Sequence, residues 1–430
     1  MKKVLIISPY FPPSNSADMQ RVRMSLPYFE QFGWQPEIVM VNPNKSDIVI
    51  DNLLKESIPK HIKIHAVEAF SKKWTGKFGL GSLSLRSLWY YKKYVNQLLK
   101  KEQFDLIYFS TTEFSICILG AYWKTKFNTP FVIDIQDPWH SDYYQDKPKA
   151  ERPKKYWFSY RLNKFLEPIA MKQVDGIISV SSAYIETLKQ RYDNVKQIPC
   201  EVITFGAFEK DFEIAEKYKS KINTSLINKA NSFNFVYVGR GGYDMQKAIS
   251  LLFEAFKQSL EANKNLYKNI HFYFIGTSYA PVGTGAQTIM PLALKLGISA
   301  YVTEQTDRVS FYQAISYLSK ANALFIPGSD DPAYTASKIY PYILAKKPIL
   351  AIFNIKSSAS KILAESKAGV VADLNDPQRA IELIESFLKA NLSSTNQSIK
   401  TDWSYFKQFN AQAMTKKQCK LFNQVLDERF

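Results

Sequence analysis

The chain has 430 residues, enough for two domains of ordinary size, and its 46% hydrophobic and 22% charged residues are typical of a soluble globular protein. Its 56 Lys+Arg against 39 Asp+Glu give a net charge of +17, which favours nucleic acid, an anionic membrane face or phosphorylated small molecules as partners. No helix-turn-helix, zinc-finger, RRM or KH pattern is present in the sequence, so nucleic acid is the weakest of these partners, and lysines that merely solvate the surface explain the charge equally well.

The three cysteines, Cys117, Cys200 and Cys419, form no CxxC pair, and the four histidines do not cluster with them. We therefore expect neither a disulfide framework nor a bound metal. No apolar run approaches the roughly 18 residues of a membrane span. The first apolar run, Val4–Ser8, is too short for a signal peptide and predicts a strand, so a cytoplasmic protein is expected.

Strand-like and helix-like segments alternate in the first half of the chain, which predicts a mostly parallel, doubly wound sheet. The predicted helices include Arg21–Phe32 and Leu85–Lys101. The predicted strands are Val4–Ser8, Glu37–Val41, Lys63–Val67, Leu106–Ser110, Phe131–Ile135, Gly176–Val180 and Glu201–Ile203.

A polar, Lys/Asn-rich stretch at 209–231 predicts a linker, so the first domain is expected at 1–208 and the second at 232–402. The amphipathic segment 403–430 predicts a closing helix. The second domain repeats the alternation, with strands predicted at Asn234–Val238, His271–Ile275, Tyr301–Thr303, Ala323–Ile326, Pro348–Ile352 and Gly369–Val371.

Polar residues follow several of these strands, at the sheet edge where α/β proteins bind ligands. Gly239 and Arg240 follow one strand, with Lys247 seven residues after the arginine. Gly276 follows the next strand. Lys338 lies at the start of the helix that follows the strand Ala323–Ile326. A guanidinium, an ammonium group and a helix N-terminus together suit a diphosphate.

Four segments resemble glycosyltransferases of the GT-B fold, family 4, and the resemblance spans almost the whole chain. They are Ser8–Asn15, Val132–Trp139, Phe235–Lys247, and Ser337–Pro348, the last of which is similar to the family's Ser-Lys-Leu-Phe-Glu-Tyr-Leu-Ala donor helix. The resemblance implies two Rossmann-like domains with an interdomain cleft, and a closing helix that packs back on the first domain.

The resemblance also implies roles for particular residues. Arg240 and Lys247 would act on the donor diphosphate as catalytic cations, and Asp137 would act on the acceptor side, although a helix cap or a turn explains Asp137 equally well. The implied donor-binding set is Ser14, Asn15, Gly239, Arg240, Lys247, Gly276, Asp331, Thr335, Ser337 and Lys338.

The chain departs from the family at its hallmark pair of glutamates. Ala333 and Pro341 occupy those positions, so Asp331 and its neighbour Asp330 are the expected substitutes. Proline in the first turn of a helix is tolerated, whereas in the interior it costs about 3 kcal/mol. The helix is therefore expected either to begin close to Lys338 or to kink.

The implied activity is that of a retaining, metal-independent glycosyltransferase without a cofactor. It would move a sugar from a nucleotide diphosphate sugar to a hydroxyl of a cell-envelope saccharide or a lipid-linked acceptor. A non-catalytic sugar-nucleotide binding subunit and a sugar-nucleotide epimerase are the alternatives. Cations interleaved with aromatic residues between Trp74 and Tyr94 favour peripheral binding at the inner membrane face, and they equally fit a helix packed into the first domain.

Overall fold

A computed structural model describes residues 1–142, 145, 152, 156–227, 232–329, 338–393 and 400–427. The chain divides into two compact units. Unit 1 comprises Met1–Gly206 with Ala411–Phe430, and unit 2 comprises Ala207–Asn410.

Within the described part of unit 1, seven parallel strands form one sheet in the order β3-β2-β1-β4-β5-β6-β7. The apolar runs form strands because helices cover both faces of the sheet, and every residue of β4 and β5 is buried. The strands are β1 (Lys2–Ile7), β2 (Trp34–Val41), β3 (Lys63–Val67), β4 (Leu106–Ser110), β5 (Phe131–Ile135), β6 (Gly176–Ser179) and β7 (Cys200–Val202). The helices are α1 (Gln20–Ser25), α2 (Lys72–Thr75), α3 (Leu83–Lys101), α4 (Ile118–Phe127), α5 (Tyr156–Met171) and α6 (Ser182–Arg191).

Unit 2 contains, in its described residues, a six-stranded parallel sheet in the order β10-β9-β8-β11-β12-β13. The predicted α/β class with two doubly wound sheets is therefore confirmed. The strands of unit 2 are β8 (Phe233–Val238), β9 (Ile270–Ile275), β10 (Val302–Gln305), β11 (Ala323–Pro327), β12 (Ile349–Phe353) and β13 (Val370–Asp373). Its helices are α7 (Lys210–Lys217), α8 (Gln246–Ala262), α9 (Lys264–Tyr267), α10 (Met290–Lys295), α11 (Phe311–Lys320), α12 (Ile339–Leu344), α13 (Ser358–Glu365), α14 (Pro377–Leu392) and α15 (Trp403–Phe406).

The stretch predicted as a linker, 209–231, instead contributes a helix to unit 2. Helix α7 packs against α11, and the hydroxyl of buried Tyr312 donates to Oδ1 of buried Asp211 at 3.1 Å. The polar composition conceals an amphipathic pattern, because Ile214 and Ala215 fill the buried face of this short helix.

The closing segment, predicted as one element from 403 to 430, is divided between the units. Residues up to Asn410 belong to unit 2, where the backbone N–H of Ala207 donates to the carbonyl of Phe409 at 2.8 Å. Helix α16 (Ala411–Asp427) then returns to unit 1 and packs against α1, β6 and β7. Its Phe422 ring lies 5.4 Å from Trp34 and 5.0 Å from Tyr108.

Helix α1 is shorter than the predicted Arg21–Phe32. It ends at Ser25 because Pro27 has no N–H to continue the helical hydrogen bonds, and a separate 3-10 turn follows at Glu30–Phe32.

The aromatic residues of helix α3 were expected either to contact a membrane or to pack into the first domain. Tyr91 is fully buried, whereas Trp89 is 53% exposed, so the helix presents aromatic residues both to the core and to the surface.

Candidate functional site

The strand order of unit 2 reverses between β8 and β11, which are neighbours in the sheet but lead to helices on opposite sides. Doubly wound sheets bind ligands outside the carboxyl ends of the strands at such a reversal. Gly239 and Arg240 follow β8 at this edge, and Gly328 follows β11. Lys338 lies immediately before α12, in the connection from β11.

Lys338 joins the two loops at this edge. Its Nζ donates to the hydroxyl of Tyr237 at 2.7 Å and lies 4.8 Å from the centre of that ring. The Tyr237 hydroxyl in turn donates to the carbonyl of Arg240 at 2.9 Å. Burial, followed by the charge of Arg240, lowers the pKa of Lys338 to about 7, while Asp244 acts in the opposite direction. The lysine therefore titrates near neutral pH in the absence of an anion.

Gly239 is required by this arrangement. Its φ of +153° lies in a region that side chains rarely adopt, and a Cβ added there would lie 2.0 Å from Nζ of Lys338. The glycine thus lets the ammonium group approach the backbone at the end of β8.

Arg240 is held at the mouth of the loop by a partner that the sequence analysis missed. Its Nη1 and Nη2 donate to Oδ1 and Oδ2 of Asp244 at 2.8 and 2.7 Å, and both side chains are about one-third exposed, at 33% and 34%. The spacing of four residues was the available signal. The carboxylate fixes the guanidinium beside Lys338, so two of the three predicted phosphate-binding cations come together.

The loop after β8 is fastened to the neighbouring loops. Gly241 donates to the carbonyl of Thr277 at 2.8 Å, and the hydroxyl of Thr288 donates to the carbonyl of Gly241 at 2.5 Å. Glu304, a second residue that the sequence analysis missed, accepts hydrogen bonds at 2.7–3.1 Å from the hydroxyl of Thr277 and from the backbone N–H groups of Thr288, Ile289 and Met290.

The remaining predicted donor residues of unit 2 lie in different environments. Gly276 adopts a φ of +74° after β9 and donates to the carbonyl of Gln305 at 2.8 Å. Lys247 is exposed in the first turn of α8, and among the described residues it has no ion pair with the Arg240 group. Asp331, Thr335 and Ser337 lie outside the described residues.

The predicted residues of unit 1 lie in two segments, the loop after β1 and the loop after β5. The Ser14 backbone donates to the carbonyl of Phe11 at 3.0 Å, and that of Asn15 donates to the carbonyl of Val49 at 2.8 Å. Asp137 follows β5 with an exposed side chain, and the packed protein around it raises the pKa of its carboxyl group.

A buried polar network that the sequence analysis missed lies at the corresponding edge of unit 1. Nε of Arg21 donates to Oδ2 of Asp134 at 2.6 Å, and the same guanidinium donates to the carbonyls of Ile203 and Thr204 at 2.6 and 3.1 Å. Gln136 also donates to Oδ2 of Asp134, at 2.7 Å. This network ties α1, β5 and the segment after β7 together behind the sheet edge.

The part of the chain that the structure describes holds no group of three or more His, Cys, Asp or Glu side chains arranged for a metal ion. None of its helices combines the length and apolar character needed to cross a membrane.

Comparison with solved structures defines the class of this fold. A structure of Anabaena Alr3699/HepE in complex with UDP matches with a TM-score of 0.58 and 14% identity, covering 98% of this chain and 99% of that one. Sucrose-phosphate synthase from Thermosynechococcus elongatus matches with a TM-score of 0.59 and 14% identity, covering 100% of both chains. The protein therefore has the GT-B glycosyltransferase fold.

The sequence comparisons place the chain more closely. Residues 64–206 match the model of Glycosyltransferase Family 4. An uncharacterized glycosyltransferase of Methanocaldococcus jannaschii is 22% identical over 306 residues, which are 67% of this chain and 68% of the relative. The chain is thus a GT-B protein in which residues 64–206 are similar to Glycosyltransferase Family 4.

Proposed function

We propose that this protein is a retaining glycosyltransferase that uses a nucleotide diphosphate sugar as its donor. The observation that carries the proposal is the Lys338–Tyr237–Arg240 group at the strand-order reversal of unit 2. Structures of the neighbour HepE contain UDP and UDP-glucose, which agrees with a donor of this class.

Each cation has a distinct part in this proposal. When the bond between the anomeric carbon and the diphosphate oxygen breaks, the leaving group gains negative charge, which Arg240 and Lys338 stabilise. Lys247 adds a third positive charge from the first turn of α8, where the helix dipole also favours an anion. The departing phosphate takes the proton of the acceptor hydroxyl as the new glycosidic bond forms on the same face of the sugar. No metal ion is needed for these steps, and Asp137 contacts the acceptor.

Pro341 bears on whether transfer occurs at all. It is the third residue of α12, which begins immediately after Lys338. The proline therefore lies in the first turn, where a helix tolerates it, and this agrees with the expectation that the helix begins close to Lys338. A proline cannot bind sugar hydroxyls as the family's glutamate would. This substitution favours a second candidate function, a subunit that binds the sugar nucleotide without transferring the sugar.

His140 gives the epimerase alternative no support. Its backbone N–H donates to Glu167, its ring packs 4.8 Å from Tyr160, and burial lowers its pKa.

The acceptor in our proposal is a cell-envelope saccharide or a lipid-linked sugar met at the inner face of a membrane. One of the cations between Trp74 and Tyr94 is too buried to contact a membrane. Arg86 is 4% exposed, and its guanidinium donates to the carbonyls of Phe70 and Lys45.

Binding of nucleotides tests the donor site. UDP should raise the melting temperature of the protein more than UMP does, because the cations address the second phosphate. Arg240→Ala should weaken UDP binding about tenfold, since it removes a charge from the site. The matched control is Lys257→Ala, which removes a half-exposed lysine from the middle of α8 and should bind UDP like the wild type. Equal shifts with UDP and UMP would contradict the proposed site.

A glycine pair tests the geometry of the same site. Gly239→Ala should displace Lys338 and weaken UDP binding by about tenfold, because the added methyl group occupies the position of Nζ. Gly283→Ala also places a side chain at a positive φ, of +76°, but has nothing within 4 Å of its Cβ. Isothermal titration should therefore show unchanged binding for Gly283→Ala. Equal effects of the two substitutions would place the diphosphate elsewhere.

Activity assays separate the two candidate functions. A transferase should release UDP from its sugar nucleotide only when an acceptor is present, and EDTA should leave the rate unchanged. If Pro341→Glu creates transfer in a protein that otherwise only binds the donor, the non-catalytic function is correct.

A further inference from the structure

A pocket of about 450 Å³ lies within unit 1, on the carboxyl side of its sheet. The residues that follow β4 and β5 form its floor, the start of α3 forms one wall, and the first half of α5 forms another. Its volume lies in the range of pockets that hold small ligands, about 300–1,000 Å³.

The polar side of the pocket centres on Glu113. Its Oε2 accepts a hydrogen bond from the backbone N–H of Ser84 at 2.8 Å, and Oε1 accepts one from the hydroxyl of Tyr10 at 3.3 Å. Each carboxylate oxygen can accept a further hydrogen bond. Together with Ser82 and Asn163, which also line the pocket, this carboxylate suits a ligand rich in hydroxyl groups.

Trp139 gives the pocket an aromatic wall. It lines the pocket, is only 5% exposed, and stacks on Phe114 with ring centres 5.6 Å apart. Stacked aromatic rings of this kind give the pocket an apolar wall, against which the carbon face of a sugar ring can pack.

The mouth of the pocket lies between two segments that carry exposed aromatic residues. Gly79 and Phe158 meet there, since a Cβ at Gly79 would lie 3.0 Å from Cε1 of Phe158. The segment around α2 exposes Trp74 (71%) and Phe78 (75%), and α5 exposes Trp157 (64%) and Phe165 (68%). We call these four side chains the aromatic rim.

Cations are interleaved with the aromatic rim. Nζ of Lys77 lies 5.3 Å from the ring centre of Trp74, and the guanidinium of Arg161 lies 5.6 Å from that of Trp157. Lys73 and Lys164 are also exposed beside the rim. Exposed aromatic residues among basic ones suit the interface of an anionic bilayer, and the net charge of +17 favours the same partner.

We propose that this pocket binds the sugar headgroup of a lipid-anchored acceptor while the aromatic rim rests in an anionic bilayer. The inference rests on the proposed glycosyltransferase function and selects the lipid-linked acceptor over a soluble saccharide. Glu113 accepts hydrogen bonds from the headgroup hydroxyls, Trp139 packs against the sugar ring, and the apolar wall of Phe158 and Leu162 leads toward the lipid.

Co-sedimentation with vesicles tests the rim. The protein should pellet with vesicles of phosphatidylcholine and phosphatidylglycerol at low salt and be released as the salt concentration rises. Replacing the four rim residues with serine (Trp74→Ser, Phe78→Ser, Trp157→Ser and Phe165→Ser) should lower the bound fraction about tenfold. The control carries Tyr279→Ser, Val282→Ser and Leu294→Ser, which remove side chains of unit 2 that are 71%, 79% and 63% exposed. Wild-type protein that stays in the supernatant, or a rim variant that pellets like the control, would overturn the proposal.

Alkyl glycosides test the pocket. Octyl glycosides of glucose, galactose and N-acetylglucosamine would be added below their micelle concentrations. At least one should raise the melting temperature, Glu113→Gln should abolish that shift, and Glu186→Gln on the exposed face of α6 should retain it. No shift with any glycoside, or a shift that survives Glu113→Gln, would refute the pocket assignment. Equal shifts with the free sugars would show a soluble acceptor instead of a lipid.

The UDP shift is measured on the same variants. It should be unchanged in all of them, because neither the rim nor Glu113 belongs to the donor site. We therefore expect the rim variant to lose vesicle binding and Glu113→Gln to lose glycoside binding, while both keep the UDP shift. A wild-type protein that binds UDP but neither vesicles nor glycosides would refute this inference and leave the proposed function standing.

Discussion

The surroundings of Lys338 lower its pKa to about 7, so its charge changes near neutral pH. The sequence indicates the residue, since a Ser-Lys pair follows the predicted strand, but not its partners. Tyr237 lies inside β8 and has the pattern of a core residue, so its hydroxyl contact with Nζ becomes apparent only when β8 and α12 are adjacent. Arg240 was likewise predicted from its position after a strand, whereas Asp244 had only the spacing of a common surface pair.

The pKa of about 7 makes donor binding depend on pH. Lys338 must be protonated to pair with a phosphate, so UDP affinity should fall as the pH rises from about 7.5 to 8.5, a range between the titrations of the terminal phosphate and of the uracil ring of UDP. Titration calorimetry in buffers of different ionisation enthalpy should show proton uptake on binding. Lys338→Arg should make the affinity independent of pH over this range.

The same group affects stability with a sign that can be checked. Its pKa in the folded protein lies below the unfolded value, so the unfolded chain binds more protons between about pH 7 and 10. The free energy of unfolding should rise with pH in that window, and the cost of burying the charge is fully present below pH 7. Lys338→Met should therefore be more stable than the wild type at pH 6 and lose that advantage toward pH 10. Lys361→Met, at a 73% exposed lysine, should show no such trend.

At the scale of elements, the positions of the strands were predicted, whereas some element ends were missed. Buried parallel strands are short apolar runs between polar turns, and β4 and β5 lie at their predicted positions. The end of α1 depends on Pro27, a signal present in the sequence. The interruption at Asn410 depends on pairing with Ala207, two hundred residues away, which no local pattern encodes.

Helix α10 illustrates an element held by one distant carboxylate. Glu304 belongs to β10, yet it accepts the N–H groups of Ile289 and Met290 at the start of α10. Glu304→Ala should lower the free energy of unfolding by about 3 kcal/mol, because several buried donors lose their acceptor. Urea unfolding measures the change, and Glu261→Ala, at a 67% exposed glutamate of α8, is the control and should change it by less than about 0.5 kcal/mol. A similar loss in both variants would contradict the capping role.

At the scale of the molecule, unit 1 is completed by α16. Phe422 is fully buried and contacts the rings of Trp34 and Tyr108. Phe422→Ala should destabilise unit 1 by about 3–5 kcal/mol, because it leaves a cavity among aromatic rings. The exposed Lys417 of the same helix is the matched control, and Lys417→Ala should change stability by less than about 0.5 kcal/mol. Near-UV circular dichroism of the tryptophans during urea unfolding would report both. A Phe422→Ala variant as stable as the control would mean that α16 is not integral to unit 1.

The return of α16 also fixes an order of events during synthesis. The ribosome makes the first 206 residues, then all of unit 2, and only then the helix that covers β6 and β7. At about 5–20 residues per second, the first sheet waits on the order of ten to forty seconds with apolar surface uncovered. Unit 2 has all its residues by Asn410 and can fold in that interval. The half of the molecule that is translated second is therefore finished first, and the nascent first half is the segment on which we expect chaperones to act.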